Sequence, residues 1–242
     1  VATASGVSAT RPAPSHCDGF DAARAMVPIA AGDYVPLYGS DTLPVHIDGM
    51  LMDAYPVTQA DYLEFVRRNP QWRRSQVKAL FADPNYLRSW ANDTTLGEER
   101  SPLSPVTSVS WFAANAYCSC AGKRLATVHE WEYVAMADSF VSDARNDAAF
   151  TAHILSWYGR RPDVIGDVGT VARNRWGVYD LHGSVWEWTA DFNSVLMDDD
   201  ARRGTSGNYE KFCGDASLGA TDLGNYAAFM RFAFRASLKA RY

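Results

Sequence analysis

Asp180 and Glu187, in the stretch YDLHGSVWEWTADF (residues 179–192), are the first residues whose chemistry demands an account. Glu187 stands between Trp186 and Trp188, and a carboxylate among rings needs a partner because a lone buried charge is costly. On spacing alone the structural reading leads: Asp180 forms a turn, and Glu187 pairs with Arg231 or Arg235 on a neighbouring strand. Glu132, Asp191, Arg231 and Arg235 are further ionisable residues beside aromatics. An enzyme would bring such groups together with partners inside a cleft, whereas a binding module would line its cleft with apolar groups.

Thiols and imidazoles are the other candidates. Cys17, Cys118, Cys120 and Cys213 permit two disulfides in three connectivities. Cys118 and Cys120 lie two apart on an expected helix and point to different sides, so they should not bond each other. A Cys-x-Cys pair suits a soft metal, but no further Cys, Met or His cluster lies near it. His16, His46, His129, His153 and His182 are scattered, with His129 at a helix start and His182 in the turn before Glu187. Unclustered histidines are more often satisfied surface or core residues than ligands.

Around these residues the chain must build a scaffold. Hydrophobic residues make up 47% and include eight Trp, enough for a substantial core. A net charge of −5 and a pI near 5.5 argue against a general nucleic-acid binder, which needs clustered Lys and Arg. No apolar run approaches the ~18 residues that a membrane-spanning helix requires. Residues 1–20, rich in Ala, Ser, Thr and Pro, read as a poorly ordered arm of the kind left after signal-peptide cleavage, which favours export.

Residues 25–37 and 43–58 read as short strands broken by turn residues. Thr58 caps a helix with Asp61 at its third position and Tyr62, Phe65 and Val66 on one face. A short helix is expected over 76–81, followed by a long surface loop. Ser110 starts another helix that Gly122 ends, and Thr127 with Glu130 forms a capping box ahead of Trp131, Val134 and Ala135. Residues 139–178 show little periodicity, with Trp157 and Trp176 as anchors. The Gly-rich 193–225 stretch reads as a long loop. FMRFAFRAS alternates, Met230, Phe232 and Phe234 against Arg231, Ala233 and Arg235, which predicts a strand.

Four segments, MDAYPVTQADYLEFV, PVTSVSWFAANAYCSCAGKRLATVHEWEYVAMA, GVYDLHGSVWEWTADF and FRASLKARY, resemble the formylglycine-generating enzyme, or sulfatase-modifying factor, superfamily over about residues 25–242. The resemblance implies one α+β domain over 21–242, a C-type-lectin-like fold with much irregular structure and few short helices and strands. The enzymatic branch uses copper held by two cysteines on the C-terminal strand. Aligned through RFAFRAS, those positions are Ala227 and Phe232, and neither can replace a thiolate on Cu(I). Copper is therefore not expected. An iron-binding branch draws its ligands from a histidine-rich helical domain, and the sequence shows none.

The resemblance also implies a structural calcium ion wrapped by the segment matching DLHGSVWE. Asp180 and Glu187 would give carboxylate oxygens, and Gly183 and Val185 backbone carbonyls, toward the roughly 6–8 oxygens calcium takes. A second family calcium site lacks its Asn in 151–172. Relatives continue past the position of Tyr242 into a core-completing strand, so the sequence is expected to be truncated or partly represented. The family bridge from the cysteine matching Cys118 to one near the C-terminus would then lack its partner, leaving Cys118 with Cys17, or free.

The expectation that follows is an exported, periplasmic or secreted protein without copper-dependent formylglycine activity, acting as a binding or maturation factor for a protein or peptide partner. The alternative is an oxidoreductase of the same superfamily, formylglycine-generating or related, working through other residues. Cys213, the one thiol near the C-terminal loop, is half of what copper chemistry needs.

Overall fold

A computed structural model describes residues 2–5, 17, 20, 24–36, 43–98, 100–158, 165–192, 230–231, 234–235 and 237–242. The elements are β1 (Ala2–Ser5), β2 (Met26–Ile29), β3 (Gly32–Tyr34), β4 (Val45–Ile47), β5 (Met50–Asp53), α1 (Gln59–Arg68), α2 (Trp111–Cys120), β6 (Arg124–Leu125), α3 (Val128–Ala135) and α4 (Ala148–Tyr158). One antiparallel sheet runs β2-β5-β1-β6, and β3 pairs with β4 separately. Alternation sets the faces: Met50 and Met52 are buried while Leu51, between them, is exposed. Among the described residues this is an α+β arrangement of a few short helices and strands, as expected.

β1 corrects the expectation of a disordered arm at its first residues. Thr3 pairs with Met52 on one side and Arg124 on the other, so β1 satisfies main-chain groups of both β5 and β6. Small polar composition argues against a hydrophobic anchor but not against ladder pairing.

The helices start where capping chemistry requires. Thr58 accepts from the Asp61 N–H and Asp61 accepts from the Thr58 N–H, which satisfies donors the first turn of α1 leaves open. Thr127 and Glu130 do the same for α3, and Ser110 caps α2. The Trp111 N–H, another open donor, reaches Ala240 O near the end of the chain. Three expectations need correction. Residues 76–81 form isolated turns after a 3-10 turn at Pro70–Trp72, because Gln76 and Val77 both bond back to Arg73 O. Within 139–178 lies α4, capped by Asp147, whose Oδ1 accepts from Phe150 N. It runs AAFTAHILSWY, apolar almost all round, so no periodicity marks it. Met230, Arg231, Phe234, Arg235 and Ser237 are helical, not strand. The alternation also sets Met230 with Phe234 and Arg231 with Arg235 four apart, one helical turn.

Two hydrophobic clusters fill the interior. One joins α1 and α2 through Tyr62, Phe65, Val66, Trp90 and Tyr117, and the other joins the sheet to α3 through Ile29, Met52, Trp131 and Val134. Between them Asp53, fully buried, is held by Lys123 at 2.6 Å and lies 3.7 Å from Arg24, which also bonds Asp61. The disulfide joins Cys17 to Cys120, and Cys118 is free and buried. Of the two outcomes set out for Cys118, the free thiol is the one found. Cys120, two positions along the same helix, takes Cys17 instead.

Candidate functional site

Asp180 sits in left-handed backbone (φ 61°), which a non-glycine residue occupies at a cost. Its carboxylate shows why the cost is accepted. Oδ2 accepts from Gly169 N, and Oδ1 from Val171 N at 3.0 Å and Ala172 N at 3.2 Å. Asp180 is 1% exposed and thus locks residues 169–172 onto the start of the DLHGSVWE stretch. Gly183 follows at φ 88°, where an added Cβ would stand 2.7 Å from Val171 Cγ1, so the turn requires glycine. Glu187 Oε2 accepts from the Trp131 indole N–H at 2.7 Å. The partnership of Glu187 with Arg231 or Arg235 is corrected: both arginines bind Glu132.

These contacts bear on calcium. Three backbone N–H groups already converge on Asp180, which takes up most of the roughly four lone-pair sites of its carboxylate. Among the described residues no three His, Cys, Asp or Glu side chains converge as metal donors. Of the expected set Asp180, Gly183, Val185 and Glu187, the two carboxylates are each engaged by N–H donors, Asp180 by three backbone groups and Glu187 by the Trp131 indole.

Three of the other ionisable candidates do meet. Glu132 accepts from Arg231 Nε at 3.0 Å and Nη2 at 2.8 Å, and from Arg235 Nη1 at 2.6 Å. The i, i+4 spacing of the arginines puts both on one helical face. Burial pushes the Glu132 carboxyl up, but the Arg231 and Arg235 guanidiniums outweigh it and hold the group well below the usual carboxylate range. Both guanidiniums also lie over the Trp131 ring, at 5.9 and 5.2 Å from its centre. Trp131 therefore joins the Glu132 cluster to Glu187. Asp191 stands apart and accepts from Val128 N at 2.7 Å, at the N-terminus of α3, where a negative charge is favourable.

Among the described residues no histidine belongs to a group of three or more metal donors. His182 Nε2 donates its N–H to Ala135 O across 2.8 Å, since the carbonyl can only accept. Burial pushes its imidazole down to about 4. His129 shares a 2.7 Å hydrogen bond with Tyr34, and His46 lies on the surface beside Asp33. The Tyr34–His129 pair and the buried Asp53 network had no signal in sequence, since their members lie far apart along the chain.

A cleft of about 90 Å³ opens beside Glu187, between the α1–α2 cluster and residues 185–188. Val57, Pro105, Val106, Val109, Val185 and Trp186 give it apolar walls, and Glu187 is the charged residue among its lining. Trp186, 42% exposed, stacks on Tyr158 and on Phe234. Cys118 lies at the cleft, and burial pushes its thiol up to about 12, far from the thiolate that metal binding or attack requires. Glu132, Asp191, Arg231 and Arg235 are not part of this lining. Ala227, Phe232, Cys213 and the 193–225 stretch lie outside the described residues.

The comparisons accord with this geometry. The sulfatase-modifying factor enzyme 1-like domain matches residues 17–241. The chain is 30% identical over 224 residues to the formylglycine-generating enzyme of Mus musculus, covering 70% of this chain and 59% of that protein. It is 30% identical over 200 residues to the inactive C-alpha-formylglycine-generating enzyme 2 of Bos taurus, covering 67% of this chain and 66% of that protein. The hercynine oxygenase of Mycolicibacterium thermoresistibile is 29% identical over 163 residues, 60% of this chain and 36% of that protein. The chain thus spans less than two thirds of the length of each of these relatives. On the extent of the domain match, this protein belongs to the sulfatase-modifying factor enzyme 1-like family.

Proposed function

We propose that this protein is an exported binding or maturation factor for another protein, without copper-dependent formylglycine activity. The observation that carries the reading is the cleft. Its walls are apolar apart from Glu187, which accepts from the Trp131 indole, burial raises the pKa of its thiol, and the ion-paired Glu132 cluster on α3 lies outside it. An apolar cleft beside an exposed, ring-stacked Trp suits a peptide or protein side chain. Ala227 and Phe232 at the positions aligned with copper cysteines support the loss of oxidase chemistry, and a relative named inactive shows that the family contains such members. The Cys17–Cys120 disulfide supports an oxidising, exported compartment.

Two measurements test the reading. Cu(I) titration under reducing conditions should show no stoichiometric tight site, and a sulfatase-derived cysteine peptide should not be converted to formylglycine. Tight copper binding abolished by Cys213→Ala, or turnover of the peptide, would overturn it in favour of the oxidoreductase alternative. The apolar dye ANS should bind the native cleft and lose that binding in Val106→Glu, and a native protein that ignores the dye removes the binding half of the proposal.

A further inference from the structure

In the sheet, β5 and β6 each pair with β1 and not with one another. β1 thus occupies a slot with a strand edge on either side, Ala2 to Ser5 running antiparallel to both neighbours. Its residues are Ala, Thr, Ala and Ser, which bring little apolar area to hold the strand, so main-chain pairing does most of the holding. The resident sequence is also imperfect for the site. Thr3 is 0% exposed, and its hydroxyl is buried with no hydrogen-bond partner among the described residues, a costly state for a polar group.

We propose that the slot between β5 and β6 is a strand-acceptor site for an extended segment of another polypeptide, with β1 as its resident stand-in. The preferred occupant runs antiparallel to β5, uses its main chain as the principal contact, and carries an apolar β-branched side chain where Thr3 stands. Recognition of this kind takes affinity from the ladder and selectivity from alternate side chains. A second copy of this chain is the poorer occupant, because its segment carries the same unsatisfied Thr and must leave an equivalent slot. The Cys17–Cys120 bond fixes the root of the arm at the end of α2, shortly before β6, so a displaced β1 stays close enough to return. The site adds to the binding role proposed above without depending on the cleft, so the two can fail separately.

The test uses the full oxidised chain and fluorescein-labelled octapeptides with the sequence of residues 1–8, either unchanged or carrying Thr3→Val. Saturable binding is expected by anisotropy, with the Val peptide about tenfold tighter, the equivalent of roughly 1.4 kcal/mol for an unmet hydroxyl. Ala4→Pro in the full chain takes the N–H from the residue paired with Leu51 and should raise affinity for both peptides. Absence of saturable binding to both proteins overturns the proposal, as does equal binding of a scrambled peptide. Should Ala4→Pro not fold, hydrogen exchange of the unmodified chain decides: amides of residues 2–5 should open well below the global unfolding free energy, and protection equal to that of β2 and β5 refutes an exchangeable strand. Dimers linked by exchanged arms, seen in sedimentation, would refute the choice of a foreign occupant.

Discussion

Replacing Glu132 tests how the α3 cluster is held. Its carboxylate receives Arg231 and Arg235, whose side chains are 8% and 11% exposed, while its own is 20% exposed. Glu132→Gln keeps the shape and removes the charge, leaving two nearly buried cations against Trp131 without the carboxylate that pairs with both among the described residues. Breaking a buried ion pair from one side costs about 3–5 kcal/mol, and two cations lie at stake here. For a chain of this size each kcal/mol moves Tm by about 2–4 °C, so a fall on the order of 10 °C is expected. Urea unfolding of Glu132→Gln, Arg231→Met and the double variant gives the coupling between them, and the double variant should recover part of the loss. Glu64→Gln, which touches the exposed i, i+4 pair with Arg68, serves as control with an expected change of about 0.3–0.5 kcal/mol. A loss at Glu132 no larger than this control would refute the reasoning. The pH dependence follows from the same contacts. The folded carboxyl is held below its ordinary value of 4.5, so the unfolded chain binds the proton first on acidification. The contribution of Glu132 is present above about 4.5 and is lost as pH falls toward the folded value. Glu132→Gln should show a flatter stability curve in that window.

Asp180→Ala leaves three backbone donors without their acceptor and should destabilise by about 2–4 kcal/mol in thermal unfolding. The expected calcium set Asp180, Gly183, Val185 and Glu187 predicts a calcium-dependent rise in Tm that EDTA reverses, and a Tm indifferent to both would refute it. Gly183→Ala, placed at φ 88° and against Val171, should cost about 1–3 kcal/mol, measured by urea titration. Cys118 should resist iodoacetamide at pH 8 until the chain unfolds, as mass spectrometry of the native and denatured protein would show. Reducing Cys17–Cys120, which spans a sequence separation of 103, should lower stability by about 4–5 kcal/mol on a chain-entropy account.

Local signals were readable wherever a short stretch contains its own partners. Thr58 with Asp61 and Thr127 with Glu130 announce helix starts because cap and capped groups lie three residues apart. The run at 148–158 hides its helix because apolar residues stand on its exposed side as well, Ala148, Ala149 and Ala152, although only Thr151 and Ile154 are buried, and the Arg231–Arg235 pair hides one because a short alternation fits two periods at once. Pairings across the chain had no such signature. Glu132 was singled out by its aromatic neighbours, but nothing local told that two arginines about a hundred positions away would close on it. The role of Asp180 was read as either turn former or ligand. Its three N–H donors come from residues 169–172, on the other arm of a bend that only the fold brings back. Thr3 lay in a stretch whose composition spoke of disorder, since ladder pairing to β5 and β6 depends on edges rather than side chains.

The link between Cys17 and Cys120 also has a mechanical meaning. β2 to β5, α1 and α2 all lie inside the covalent ring it closes, whereas α3, α4 and the chain beyond lie outside. Tension applied to the two termini would lengthen the outer stretches and pass through the sulfur bridge, never loading the ringed portion in series. A translocating motor or unfoldase pulling on this protein would meet a knot-like stop at residue 120, and would have to drag two strands abreast or wait for a reductant.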